Sequence, residues 1–233
     1  MVEIEVCFTP SLIQHFELKG KTVVVTDIFR ASSTIVTALA AGVEHLKPVA
    51  EVEACRKLMA EGYLGAAERK GTSLPGFDFT NSPTEILRGA IKGKKLALTT
   101  TNGTYAISKS LDADKIVIGA FLNLMALAEF LKKEGKNVIV HCAGWRGHFN
   151  LEDSLFAGAL IDEIKGKPNG DSSLAALLLY QKAKNNIDGF LKDAGHYQRL
   201  IKNGHQKDIP FCLTFSKYDY IPFYKEGILI NAD

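Results

Sequence analysis

The chain has 233 residues, 46% hydrophobic and 23% charged, a composition that can bury a sizeable core and excludes a disordered polymer. A formal net charge of +2, with no block of consecutive Lys or Arg, speaks against a nucleic-acid binder and favours small-molecule chemistry. No stretch reaches the ~20 apolar residues of a membrane span, because segments such as residues 161–167 are interrupted by charge.

The first eight residues alternate acidic and apolar side chains, where a secretion signal needs a basic start and a longer apolar run, so no targeting segment is expected. Cys7, Cys55, Cys142 and Cys212 are far apart and show no paired spacing, which fits a reducing, cytoplasmic setting.

Short apolar runs alternate with amphipathic stretches along the chain, the pattern of strand–helix units in an α/β sheet covered by helices. Strands are predicted at residues 4–8, 22–26, 46–49, 96–100, 116–118, 138–142 and 228–230. Helices are predicted at 33–41, 52–61, 83–88, 103–110, 124–134 and 151–164, and again at 174–180 and 190–201. Ser82-Pro83-Thr84-Glu85 reads as a capping box, with Ser82 accepting from the backbone and Glu85 reaching back. Residues 65–81 carry no periodicity and are rich in Gly, Pro, Ser and Thr, so a long functional loop is expected there. One domain over 1–233 fits the length, with a smaller C-terminal subregion from about residue 168 left open by the break at 165–171.

Three strand-to-helix turns carry the chemistry. In the first, residues 23–27 lead through Ile28, Phe29, Arg30 and Ala31 into a helix opened by Ser32 and Ser33. Ligands of open α/β sheets bind beyond the carboxyl ends of the strands, where Asp27 would project. Free amides and the two hydroxyls suit an anion, and Arg30 offers a planar fork for phosphate oxygens. The bland alternative is a plain helix cap with Arg30 paired to Asp27.

The second turn, Thr99 to Thr104, runs a strand into hydroxyls, Asn102 and Gly103, and reads either as an anion cradle or as ordinary turn chemistry. The third follows His141 and Cys142 and leads to Glu152 and Asp153 at a helix start. These carboxylates suit the helix macrodipole without any function, or join Asp27 as hard oxygen ligands for magnesium. In the long loop, Glu68 and Arg69 are a solvated pair, or a metal ligand and a binder of a second anionic group.

Cys142 and Arg146 stand in a C-x3-R spacing, where thiol phosphatases resemble C-x5-R, so a thiolate phosphatase is disfavoured. The six histidines form no zinc-binding pair, and His141 reads as structural.

T-D-I-F-R-A-S-S-T (26–34), A-E-R-K-G (67–71), G-F-D-F-T-N-S-P (76–83), T-T-T-N-G-T (99–104) and C-A-G-W-R-G…E-D (142–153) together resemble the 2-phosphosulfolactate phosphatases. Order and separation match over about the first two-thirds of the chain. Thr80 stands where the family commonly has Gly. The resemblance implies a three-layer α/β/α fold with a mixed, mostly parallel sheet, and Mg2+-dependent hydrolysis of a phosphate ester in coenzyme M biosynthesis. It marks Asp27 and Arg30 as catalytic, and Asp27, Glu68, Glu152 and Asp153 as the metal set. Phosphate or substrate would be bound by Ser32, Ser33, Arg69, Asn81, Ser82, Thr101, Asn102, Gly103, Thr104, Gly144 and Gly147.

Asp27 is either the nucleophile at phosphorus or a metal ligand. The haloacid-dehalogenase pattern is absent, since Phe29 stands where a second Asp is needed. Two rival readings are a cysteine hydrolase of isochorismatase type, using Asp27, Lys94 or Lys95, and Cys142, and a module that binds an anionic metabolite without turnover. The expected partner is a small phosphorylated acid, with no nucleic acid and no membrane; a homodimer is left open.

Overall fold

The run Thr22-Val23-Val24-Val25-Thr26 is buried along its whole length, as a central parallel strand covered on both faces must be. The computed structural model describes residues 2–69 and 72–232. Lys70 and Gly71, the end of the second family-like block, lie outside the described residues.

The strands are β1 (Glu3–Cys7), β2 (Thr22–Thr26), β3 (His45–Pro48), β4 (Leu64–Arg69), β5 (Thr72–Ser73), β6 (Lys95–Thr99), β7 (Lys115–Ile118), β8 (Val138–Cys142), β9 (Lys167–Pro168), β10 (Pro222–Lys225) and β11 (Ile228–Asn231). They form one mixed sheet in the order β5-β4-β6-β3-β11-β10-β7-β2-β8-β1-β9. The helices are α1 (Ala31–Ala40), α2 (Val52–Ala60), α3 (Pro83–Ile86), α4 (Gly103–Ser108), α5 (Leu124–Glu134), α6 (Leu151–Ile164), α7 (Asp171–Ala183), α8 (Ile187–Leu191), α9 (Gly195–Lys202) and α10 (Asp208–Cys212). Among the described residues no helix is long and apolar enough to cross a membrane.

Side-chain alternation sorts the core into layers. Val6, Val24 and Val140 share one cluster with Leu127 of α5 and Phe156 of α6. Val23, Val25 and Ile139 point the other way, into a cluster with Ile35 and Leu39 of α1 and Ile107 of α4. Helices therefore cover both faces, the three-layer α/β/α arrangement.

Two parallel blocks, β7-β2-β8-β1-β9 and β3-β6-β4, are joined by the antiparallel hairpin β10–β11. Each side of the hairpin meets its neighbouring block through a single residue pair, Phe223 with Val117 and Leu229 with Leu46. Leu46, Leu96 and Leu98 of the second block enter the same cluster as Val23 and Val25 of the first, so the sheet curls around α1. The β10–β11 hairpin near the C-terminus is thus built into the middle of the sheet.

Three expectations change. Residues 65–81 are not one loop: they contain most of β4, whose Gly-Ala-Ala core has no alternation to read, and the short β5. The helix expected over 190–201 is split between α8 and α9. Only half of the capping box forms. The Ser82 hydroxyl accepts the Glu85 N–H at 3.2 Å, while the Glu85 carboxylate reaches past Ser82 to the backbone N–H of Thr80 at 3.0 Å and to its hydroxyl.

Candidate active site

The turn after β2 is held by its own hydroxyls. Ser32 Oγ accepts the Asp27 N–H at 2.8 Å, and Ser33 Oγ donates to the Ile28 carbonyl at 2.9 Å. Both serines are buried and face the turn rather than the cavity beside it, so these hydroxyls fix the path of the backbone where phosphate binding was expected. Their bonds leave the Asp27 carboxylate directed into a cavity also lined by Glu68, Asn81, Thr101, Asn102 and Arg199. Burial pushes the Asp27 pKa up from 3.8 to about 6; nearby Glu68 and Glu152 push the same way, while His196 and the Ala31 N–H offset part of the rise.

Arg30 lines the same cavity but is not paired with Asp27. Its guanidinium donates to Asp208 of α10 at 2.7 Å, with both side chains buried. The other Asp208 oxygen accepts from Ser82 at 2.8 Å and from Thr84 at 2.6 Å. Ser82 therefore braces Arg30 through Asp208. Neighbouring Asn81 is 2% exposed, lines the cavity, and has a side-chain oxygen without a partner.

At the end of β4, Glu68 faces the cavity and Arg69 does not. The Arg69 guanidinium donates to the Ala50 carbonyl at 2.6 Å, to Thr99 Oγ1 at 2.7 Å and to the Glu68 carbonyl at 2.9 Å, locking β4 to its neighbours. A binder of a second anionic group has to be sought elsewhere.

After β6, Thr100, Thr101 and Asn102 line the cavity, and the Thr101 hydroxyl has no partner. Thr104 turns back to donate to the Thr100 carbonyl at 2.8 Å. Gly103 serves close approach. A Cβ there would stand 2.6 Å from Ala31 Cβ and 3.2 Å from Asp27 Oδ2, so only glycine lets α4 start against the Asp27 turn.

After β8, Gly144 takes φ 57°, and a Cβ on it would collide with the His148 carbonyl at 2.3 Å. Gly144 and Gly147 shape a tight loop and do not line the main cavity; the loop presents Trp145 and Arg146, which do. Trp145 carries two guanidinium groups over its ring, Arg146 at 4.9 Å and Arg199 of α9 at 4.1 Å from the ring centroid.

Glu152 and Asp153 open α6 and are both 1% exposed. Asp153 accepts the Ile28 N–H at 2.9 Å and the Gly144 N–H at 3.0 Å, so it ties two loops together. Burial, then Glu152 and Asp27, raise its pKa well above the carboxylate range. Glu152 accepts from His196 Nδ1 at 2.6 Å, and its second oxygen has no partner. Asn150 places its amide 3.3 Å from the same ring nitrogen, but the shorter carboxylate contact fixes Nδ1 as the N–H of a ring that lines the cavity.

Reading the sequence missed Asp208, His196 and Arg199. The only local signal was the i, i+3 spacing of His196 and Arg199, opposite buried Tyr197 and Leu200. Among the described residues no three His, Cys, Asp or Glu side chains are gathered as a ready-made metal group. The cysteine-hydrolase constellation does not assemble. Lys94 and Lys95 lie at the amino end of β6, opposite the end that meets Asp27, and burial raises the Cys142 pKa well above that of a free thiol.

The curled α/β sheet brings strand ends together around a buried carboxylate, with arginines and a histidine lining the same cavity, and this is the candidate active site. A family profile described as 2-phosphosulpholactate phosphatase matches residues 7–227. A protein of Caldanaerobacter subterraneus subsp. tengcongensis named probable 2-phosphosulfolactate phosphatase is 39% identical over 228 residues, 95% of each chain. Proteins with the same name from Thermotoga maritima (39% over 210 residues, 90% of this chain and 92% of that one) and Clostridium acetobutylicum (37% over 237 residues, 98% and 100%) are similar along nearly their whole lengths. The chain belongs to the 2-phosphosulfolactate phosphatase family, a family of phosphoric monoester hydrolases.

Proposed function

We propose that this protein is a Mg2+-dependent phosphatase that cleaves the phosphate ester of 2-phosphosulfolactate, or of a closely similar phosphorylated small acid, to the hydroxy acid and phosphate. The observation that carries the reading is the placement of Asp27, buried and raised to about 6, in one cavity with Glu68, His196 and Arg199. Family membership supplies the reaction class.

The side chains fit a divalent cation of modest demand. Asp27 and Glu68 face one cavity and the Glu68 charge opposes the ionisation of Asp27, a conflict that a cation relieves. Mg2+ commonly takes one or two carboxylates and completes its shell with water and phosphate oxygens, so a preformed cluster of three is not required. Asp27 and Glu68 would hold it, and when bound it would offset the charge of the transferring phosphoryl group. Asp27 serves here as ligand, and Glu152 and Asp153 are left to position their neighbours.

The remaining steps belong to the chain. The unpartnered Asn81 oxygen and Thr101 hydroxyl offer polar contacts to the bound ester. As water forms the new P–O bond and the ester P–O bond breaks, the doubly protonated form of His196, oriented by Glu152, gives its Nε2 proton to the leaving oxygen, and the proton shed by the attacking water restores the ring. Four buried cysteines without disulfides accord with a reducing cytoplasm.

Phosphate release from 2-phosphosulfolactate and a panel of phosphorylated acids, with and without Mg2+, tests this. Release that depends on Mg2+ and is fastest for phosphosulfolactate is expected. Binding of these compounds without any release would favour the metabolite-binding module instead.

A further inference from the structure

We propose that Arg146 and Arg199, braced on Trp145, form a second anion subsite that binds a non-reacting acid group of the substrate and sets specificity. The inference rests on the phosphatase reading and deepens it.

Three arginines line the cavity, and they are not equivalent. Arg30 is neutralised by Asp208. Among the described residues, the ion pairs include neither Arg146 nor Arg199, and both guanidinium groups lie over the Trp145 ring. Two like charges are held over one indole ring, an arrangement that an anion beside them would stabilise. Arg199 is only partly exposed, so its charge is incompletely solvated by water.

The backbone makes this placement specific. Arg146 adopts φ 51°, a left-handed conformation that costs a non-glycine residue, and its N–H is held by Asn102 Oδ1 at 3.2 Å. Asn102 lines the same cavity from the turn after β6, so the loop carrying the clamp is tied to that turn. Arg199 projects from α9 one turn beyond His196, which puts the clamp beside the proposed proton donor.

The chemistry matches a small acid with more than one charged group. In 2-phosphosulfolactate a carboxylate and a sulfonate lie one and two bonds from the ester carbon. Asp27 and Glu68 would repel both groups, so these need cationic partners away from the metal side. A guanidinium fork suits the oxygens of either group.

The test compares 2-phosphosulfolactate, 2-phospholactate, which lacks the sulfonate, and ethyl phosphate, which lacks both acid groups, in wild type and in Arg199→Ala and Arg146→Ala. Loss of one charge-assisted contact is expected to raise KM for phosphosulfolactate roughly 10-fold or more with kcat little changed, and to leave ethyl phosphate unaffected. A matching loss for phospholactate identifies the carboxylate as the bound group, and its absence identifies the sulfonate; both support the subsite. Equal losses on all three esters, or no loss on any, would overturn it.

Trp145 is the single tryptophan of the chain, so its fluorescence reports directly on the clamp. Sulfolactate should change this emission in wild type and require at least about 10-fold higher concentration in Arg199→Ala. Identical titrations in the two proteins contradict the proposal. If wild type hydrolyses none of the esters yet shows the fluorescence response, the phosphatase reading fails and the anion subsite stands.

Discussion

Replacing Asp27 with Asn keeps the side chain's shape and removes the charge that the fold holds at a disadvantage. In the metal-free protein the Asp27 pKa is about 6, against an ordinary 3.8, with burial as the largest cause. The sign follows from linkage. Below 3.8 both folded and unfolded chains hold the proton, and Asp27 costs nothing. Between 3.8 and about 6 the unfolded chain releases its proton first, so folding stability falls as pH rises, and above about 6 the penalty is constant. At ~1.36 kcal/mol per pH unit the full penalty is about 3 kcal/mol.

Asp27→Asn should therefore be more stable than wild type by about 3 kcal/mol at pH 7.5 without metal, and equal to it near pH 3.5. For a chain of this length that corresponds to a rise in Tm of roughly 5–10 °C. Denaturant titration of both proteins in EDTA across this pH range measures the difference. Mg2+ should narrow the gap at neutral pH by stabilising wild type. A variant no more stable than wild type at pH 7.5, or a gap that does not change with pH, would refute the electrostatic reasoning.

The other positions give sharper local tests. Asp208→Ala leaves the Arg30 charge buried without its partner, and should cost about 3–5 kcal/mol in chemical denaturation; a loss below about 1 kcal/mol would mean that the pair holds nothing. Gly103→Ala puts a Cβ 2.6 Å from Ala31 Cβ, so it should lose about 1–3 kcal/mol and much of its turnover, with Ala31→Gly restoring part of both; no rescue would remove the packing explanation. His196→Gln should lower kcat for the alkyl ester about 10²–10⁴-fold while sparing an aryl phosphate whose leaving group needs no proton, and equal losses on the two would exclude the proton-donor role. Cys142→Ala should retain turnover, because that thiol is fully buried behind the site; an inactive but folded variant would revive the cysteine-hydrolase reading.

What was legible in the sequence followed local periodicity. The strand–turn–helix units β2–α1 and β8–α6 stand where apolar runs end in a turn, and α5 and α6 begin and end at the predicted residues. β4 was hidden because its small residues carry no alternation, and β9 and β10 each contain a proline, a residue that strands disfavour. The central position of the β10–β11 hairpin depends on tertiary packing alone.

The site was legible in the same uneven way. Asp27, Glu68, Asn81, Thr101 and Asn102 all reach one cavity, because each follows a strand end or a short loop that the sequence marks. Ser32, Ser33, Ser82, Gly144, Gly147 and Asp153 had the right residue types in the right turns, but their hydrogen bonds and tight contacts hold those turns together. Arg69 looked like an anion binder because it follows Glu68, yet carbonyls and Thr99 take its donors. His196, Arg199 and Asp208 come from the C-terminal helices, and only the folded chain brings them to Asp27.

The most direct measurement is the initial rate of phosphate release from 2-phosphosulfolactate by wild type and Asp27→Asn, each with Mg2+ and after chelation. Release by wild type with Mg2+ alone, and by no other combination, is the predicted result. Comparable release by Asp27→Asn, or by chelated wild type, would contradict a cation-dependent phosphatase centred on Asp27.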